Sequence, residues 1–386
     1  MQPNNFLELL KKHKECSLYH RYINNDNILS LLQNLSKNFK VDNVGTSVNN
    51  EPIFSVTIGS GYKKILMWSQ MHGNESTTTK ALFDVINILN QSNWFSEEVL
   101  NNCTLKIIPI LNPDGARLYT RLNANNIDLN RDAQAQSQPE SAVLLDVFNE
   151  FTPNFCFNLH GQRTIFSAGK FNNPATISFL APAQDQNASI TDSRKCAMEI
   201  VVKMNDLLKQ VIPDQIGIYD DSFNINCVGD TFQTKNTPTI LFEVGHFSDD
   251  YSRERVREYL GLSLMGAFNY IANNTEISGS CYGDYFNIPK NEKLFYDIII
   301  RNAKLGMNDD VIDIAIQYQE VLIDDKIKFN PIVEKIGSLH SHFGHLEINA
   351  KSKMVESLNN ERLYQGYAND FVLINDELFA LNGVNS

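Results

Sequence analysis

The chain has 386 residues, enough for one large domain or a domain with an appendage. Hydrophobic residues make up 42% and charged residues 20%, the mix of an ordinary soluble globular protein. The net charge of −12, from 33 basic and 45 acidic side chains, argues against a nucleic-acid or anionic-membrane surface, because phosphates require a basic face.

Six cysteines, Cys16, Cys103, Cys156, Cys196, Cys227 and Cys281, include no C-x-x-C pair. They read as free thiols in a reducing compartment rather than a disulfide framework. The opening Met1-Gln2-Pro3-Asn4-Asn5-Phe6-Leu7 has no basic region followed by a long apolar stretch, so no signal peptide is expected. No apolar run approaches the ~20 residues of a membrane-spanning helix. The expected location is therefore cytoplasmic.

In chain order, Phe6 to His13 and Asn27 to Phe39 carry apolar residues at helical spacing. Val41 to Ile58 reads as a hairpin about Ser47-Val48-Asn49-Asn50. Lys64 to Ser69 reads as a buried strand and Glu75 to Leu89 as a helix. Cys103 to Leu111 is a further strand, stopped by Asn112-Pro113-Asp114-Gly115, a turn signal. Helices follow at Ser141–Phe151, Ala188–Val211 and Arg253–Ile271, and strands at Phe155–Leu159, Ile177–Leu180 and Thr239–Val244. This alternation predicts an α/β fold: a central mixed, mostly parallel sheet flanked by helices. Ligands of such sheets bind beyond the carboxyl ends of the strands. His72, His160 and Glu243 each follow an apolar strand-like run. From about Gly283 the pattern changes to strand-like alternation, so the expected organisation is a domain over 1–286 and a small C-terminal β-rich domain over 287–386.

Four pieces fit one site. They are His72-Gly73-Asn74-Glu75; the N-P-D-G segment with Arg121-Leu122-Asn123-Ala124-Asn125-Asn126-Ile127-Asp128-Leu129-Asn130-Arg131; Asn158-Leu159-His160-Gly161; and Leu241-Phe242-Glu243-Val244-Gly245. Two imidazoles and one carboxylate suit zinc and leave a position open for chemistry. A nearby carboxylate can move a proton, and a guanidinium can stabilise a developing oxyanion, a contribution of about 3 kcal/mol per donor.

With these motifs in order, residues 18–272 resemble the zinc carboxypeptidases, the M14-type family typified by pancreatic carboxypeptidase A. The resemblance implies one zinc ion held by His72, Glu75 and His160. It implies that Arg121 polarises the scissile carbonyl and that Asn130 and Arg131 bind the substrate's terminal carboxylate. Glu243 would be the general base and acid. The implied activity is hydrolysis of the C-terminal amide bond of small peptides. Tyr219 is the nearest match to the family's active-site tyrosine, although Phe223 competes for that place. Asp132-Ala133 departs from the usual Asn-aromatic pair. A second resemblance, through His-Gly-Asn-Glu, Glu-Val-Gly and a C-terminal β domain, is to aspartoacylase and succinylglutamate desuccinylase. It keeps the zinc and makes the substrate an N-acyl amino acid. Either substrate carries a free carboxylate; no nucleic-acid or membrane partner is expected.

Several residues have a bland reading beside a functional one. Asp220, Asp221 and Asp230 fit turn-forming aspartates better than an amine-selecting pocket. His340, His342 and His345 cannot all share one face of a strand, so a second metal site is not expected there. His246 fits ordinary packing better than the rim of the site.

Overall fold

The computed structural model describes residues 2–385. They divide into two compact units, one formed by 2–162 and 175–291, the other by 163–174 and 292–385.

The first unit is built on an eight-stranded sheet. In chain order it uses β1 (Lys40–Thr46), β2 (Pro52–Ile58), β3 (Lys63–Trp68), β4 (Cys103–Ile108) and β5 (Phe155–Gly161). A short β6 (Phe166–Ala168) belongs to the other unit. The sheet continues with β7 (Ile177–Leu180), β8 (Ile216–Ile218) and β9 (Thr239–Val244). The spatial order is β1-β2-β4-β3-β5-β9-β7-β8. The central strands β4, β3, β5 and β9 are parallel, while β1, β2 and the β7–β9 contact are antiparallel. The sheet is therefore mixed with a parallel middle, as the alternation of elements predicts.

Ile65, Leu66, Met67 and Trp68 of β3 are all fully buried, which explains why this strand is apolar throughout instead of alternating. One face packs on the helices Thr77–Leu89, Asp192–Leu208 and Glu254–Asn273. Phe157, Phe179, Phe242 and Phe268 lie in that layer, and Phe157 stacks on Phe268 with ring centroids 5.9 Å apart. Full burial of each such ring contributes about 1.5–3 kcal/mol. The other face gathers Leu66, Trp68, Ile108, Leu144 and Phe232.

The sequence of turns departs from expectation at Asn112. The N-P-D-G segment opens a helix, Pro113–Leu118, in place of a simple turn. Asn112 caps it by accepting from Gly115 N at 2.9 Å, and Pro113 occupies the first turn, where its missing N–H costs nothing. Among the elements without a counterpart in the sequence are the helices Trp94–Asn102 and Val228–Thr234 and the strand Ile216–Ile218.

The chain reverses its direction of strand addition at β3, with β4 on one side and β5 on the other. The carboxyl ends of β3 and β5 thus border the switch point at which parallel α/β sheets bind ligands.

The second unit contains a four-stranded sheet of β11 (Phe295–Ala303), β12 (Ile312–Ile323), β13 (Lys326–Gly337) and β14 (Phe343–Asn349), in the order β13-β12-β11-β14. Before it, β10 (Asn291–Lys293) pairs with β6, and Phe295 N donates to Ile165 O, which ties 163–174 to this unit. Asp324 and Asp325 turn β12 into β13, both with positive φ, as a two-residue hairpin loop requires. Ile298, Ile300, Ile314, Ile316 and Val333 form its core. No helix among the described residues of the chain is long and apolar enough to cross a membrane.

Candidate metal centre

His72 lies in the loop after β3, and Glu75 just before the helix Thr77–Leu89. The loop is fixed by its glycine. A Cβ on Gly73 would meet the Gly115 backbone carbon at 1.9 Å, so the His-Gly-Asn-Glu and Asn-Pro-Asp-Gly segments pack backbone against backbone. Asn112 Nδ2 donates to Met71 O and Asn74 N to Thr120 O, which lock the two loops together.

Strand β5 delivers His160 to the same point. His72 Nδ1 lies 2.9 Å from Glu75 Oε1, and His160 Nδ1 lies 3.0 Å from Glu75 Oε2. The two Nδ1 atoms face each other at 3.1 Å. Both histidines are 2% exposed. Two facing nitrogens can hold at most one proton between them, whereas a cation accepts both lone pairs. These three side chains are the metal-competent group among the described residues. Two nitrogens and one carboxylate are a donor set that fits zinc.

The electrostatics match a site made for a cation. Burial opposes protonation of His72, but Glu75 and Asp128 outweigh it and raise the imidazole to about 9. His160 is pushed the other way by burial. Burial penalises the Glu75 carboxylate as well, yet the neighbouring imidazoles hold it well below the usual range.

Asp128 is the residue that the sequence reading left without a role. Its Oδ1 accepts from His72 Nε2 at 3.0 Å and from Asn130 N at 2.9 Å. Its Oδ2 accepts from Arg121 Nε at 3.1 Å and Nη2 at 2.9 Å. Such a carboxylate behind an imidazole fixes the ring's tautomer and orientation. Its place two residues before Asn130 was the available signal.

Arg121 also reaches Glu75, with Nη1 at 3.6 Å from Oε1. Asn130 Oδ1 accepts from Val228 N, and Arg131 Nη1 lies against Asn130 O and Cys227 Sγ. Asp132 takes no part in that cluster. It accepts from Ser137 N and Gln138 N and so anchors the approach to the helix Pro139–Phe151.

Glu243 is the register neighbour of His160 on β9. Burial raises its carboxyl well above the usual range, and the charge of Glu75 adds to that. Tyr219 follows β8; burial raises its phenol, and the charges of Glu243 and Glu75 push in the same direction. Asp220 accepts from Ser222 N in an exposed turn, and Asp221 pairs with the buried Arg194. Asp230 is buried in the first turn of the helix Val228–Thr234. His246 is buried against Tyr251, with ring centroids 4.6 Å apart. In the second unit His345 stacks on Phe295 and donates to Thr164 O, which is packing rather than ligation.

Residues 26–168 match the sequence model of the zinc carboxypeptidases. The chain is similar to the zinc carboxypeptidases over that stretch. It is 26% identical to carboxypeptidase SOL1 of Arabidopsis thaliana over 166 residues, 36% of this chain and 33% of that protein. It is 32% identical to gamma-D-glutamyl-L-diamino acid endopeptidase 1 of Lysinibacillus sphaericus over 83 residues, 19% of this chain and 21% of that protein. The matched parts thus span about a third or less of these relatives. The fold is shared with the crystal structure of carboxypeptidase A from Helicoverpa armigera. That TM-score is 0.52 at 18% identity, over 71% of this chain and 81% of the other. A metallo-carboxypeptidase from Burkholderia cenocepacia gives a TM-score of 0.50 at 17% identity, over 63% of this chain and 67% of the other.

Proposed function

We propose that the protein is a zinc-dependent carboxypeptidase that removes the C-terminal residue of small peptides. The observation that carries this reading is the double role of Asp128. One carboxylate orients His72 and Arg121 while receiving the backbone of Asn130, so the metal set and the Asn130–Arg131 pair form one hydrogen-bonded unit.

His72, Glu75 and His160 would hold the ion. Zinc, when bound, supplies Lewis acidity, which polarises a carbonyl and acidifies water. The chain's own groups do the rest. Arg131, with Asn130 beside it, binds the terminal carboxylate of the peptide through charge-assisted hydrogen bonds. Arg121 donates to the carbonyl oxygen as charge develops on it. Glu243 removes the water's proton and returns it to the departing amine. Its raised affinity for a proton suits that second task. Tyr219, whose phenol feels the charges of Glu243 and Glu75, contributes to substrate binding.

The N-acyl amino acid reading has the same metal set but gives no reason for Arg121 and the Asn130–Arg131 pair to share Asp128. The two are separated by offering zinc-loaded protein short peptides and N-acyl amino acids in parallel. Amino acid release from the C-termini of peptides is expected, and Glu243→Gln should cut it by roughly 10²–10⁴-fold with zinc retained. Cleavage of N-acyl amino acids alone would overturn the proposal.

A further inference from the structure

Arg253 stands just before the helix Glu254–Asn273 with φ 57° and ψ 35°, in the left-handed region. A side chain other than glycine there costs about 1–2 kcal/mol, so something must hold it. The helix does not need Arg253 as its cap. Asp250 performs that task, accepting from Glu254 N, Arg255 N and Val256 N at 2.8–3.0 Å.

The side chain explains the position. Arg253 is only 4% exposed, and its guanidinium makes two backbone bonds. Nη1 donates to Val244 O at 2.9 Å and Nη2 to Gln162 O at 2.6 Å. Val244 ends β9, one residue after Glu243, and Gln162 lies two residues after His160, just past β5. These strands are parallel neighbours with His160 opposite Glu243 and Gly161 opposite Val244. Gln162 N also donates to Val244 O, at 2.8 Å. One guanidinium therefore ties together the two strand ends that present His160 and Glu243.

The same group backs the third ligand. A Cβ on Gly161 would lie 3.4 Å from Arg253 Nη1 and equally close to Glu75 Cβ and Cγ. Gly161 thus fills the narrow gap between the guanidinium and Glu75, and its N–H donates to Glu75 Oε2 at 2.9 Å. Arg253, Gly161, Glu75 and His160 form a continuous stack.

We propose that Arg253 is a positioning residue that sets the separation of His160 and Glu243, and through Gly161 the orientation of Glu75. This rests on the assignment of those three residues to a zinc hydrolase site. Arginine is required because only its planar fork reaches both carbonyls; lysine keeps the charge and offers a single point of contact.

The test compares wild type, Arg253→Lys, Arg253→Met and His160→Ala. Release of zinc to a chelator, kcat and KM on a short peptide, and thermal unfolding of the metal-free forms are measured. Zinc release should quicken roughly tenfold or more in Arg253→Lys, as for loss of a group that orients a metal ligand. The same variant should lose kcat by about tenfold or more with KM within about threefold, since the substrate clamp is untouched. Arg253→Met should be worse on both counts; if it does not fold, Arg253→Lys decides alone. A lowered unfolding temperature with zinc release and kcat unchanged would show a merely structural role and overturn the proposal. His160→Ala separates this from failure of the underlying assignment. Unchanged zinc retention in that variant would sink the metal assignment and this proposal with it. Lost retention there, with Arg253→Lys behaving as wild type, would sink this proposal alone.

Discussion

Asp128 stands directly behind His72, its Oδ1 3.0 Å from His72 Nε2, on the side of the ring away from the metal set. The same carboxylate is held below its usual range despite its burial, because the His72 imidazole and Arg121 stabilise its charge. It is therefore ionised at neutral pH.

Asp128→Asn keeps the size of that group but removes its charge and offers a donor where an acceptor is needed. Zinc affinity should fall about 10–100-fold, as for other carboxylates that orient a ligating imidazole. Competition with a fluorescent chelator checks this; unchanged affinity would remove the orienting role.

Arg131 is exposed and spends one nitrogen on Asn130 O and Cys227 Sγ. Its replacement by alanine should raise KM for peptides with a free C-terminus by about 10–100-fold, the equivalent of ~1.5–3 kcal/mol for hydrogen bonds to a charged group. Discrimination against the C-terminal amide of the same peptide should disappear along with it. Steady-state assays on the acid and the amide provide the comparison.

Distant from the site, Arg257 and Asp84 form a buried bidentate pair, with N–O distances of 2.6 and 2.5 Å and exposures of 1% and 4%. Arg257 also donates to Leu18 O and Glu15 O, which fasten the N-terminal segment to the helices Thr77–Leu89 and Glu254–Asn273. Arg257→Ala leaves Asp84 charged and buried and should destabilise the fold by about 3–5 kcal/mol. Urea unfolding monitored by tryptophan fluorescence would show the loss.

Asp230 gives a pH-dependent prediction. Burial raises its carboxyl from 3.8 to about 6. The folded state therefore holds this proton more tightly than the unfolded chain does. The stability it contributes is complete below about pH 4 and is lost as pH rises through about 6. Asp230→Asn should match wild type in stability near pH 4 and exceed it above pH 6, by up to ~3 kcal/mol at 1.36 kcal/mol per unit. Equilibrium unfolding at both pH values decides it; equal curves at pH 7 would show that the carboxyl is not strained by burial.

The sequence made the candidate site legible because three of its residues sit at or just past the ends of apolar strands. Ile65–Trp68 precedes His72, Phe155–Leu159 precedes His160, and Thr239–Phe242 precedes Glu243. Asp128 escaped notice because its meaning depends on a histidine 56 positions away, a contact no local pattern carries. The helix Trp94–Asn102 buries only Phe95, Ser96 and Val99, too weak a stripe to stand out, and the strand Ile216–Ile218 is three residues long. Residues 163–174 belong to the second unit through the bond from Phe295 to Ile165, which is invisible to any reading that follows the chain in order. Asn112-Pro113-Asp114-Gly115 misled because the same residues that make turns also cap and start helices.

In the proposed function, His72, Glu75 and His160 hold the zinc on which peptide cleavage depends. Its most direct test is metal content by elemental analysis, read beside C-terminal amino acid release, for wild type and Glu75→Ala after equal exposure to zinc. About one zinc per wild-type chain is expected, with little in Glu75→Ala and cleavage that follows bound zinc through chelation and reloading. Equal zinc in both proteins, or cleavage that persists in the metal-free chain, would contradict it.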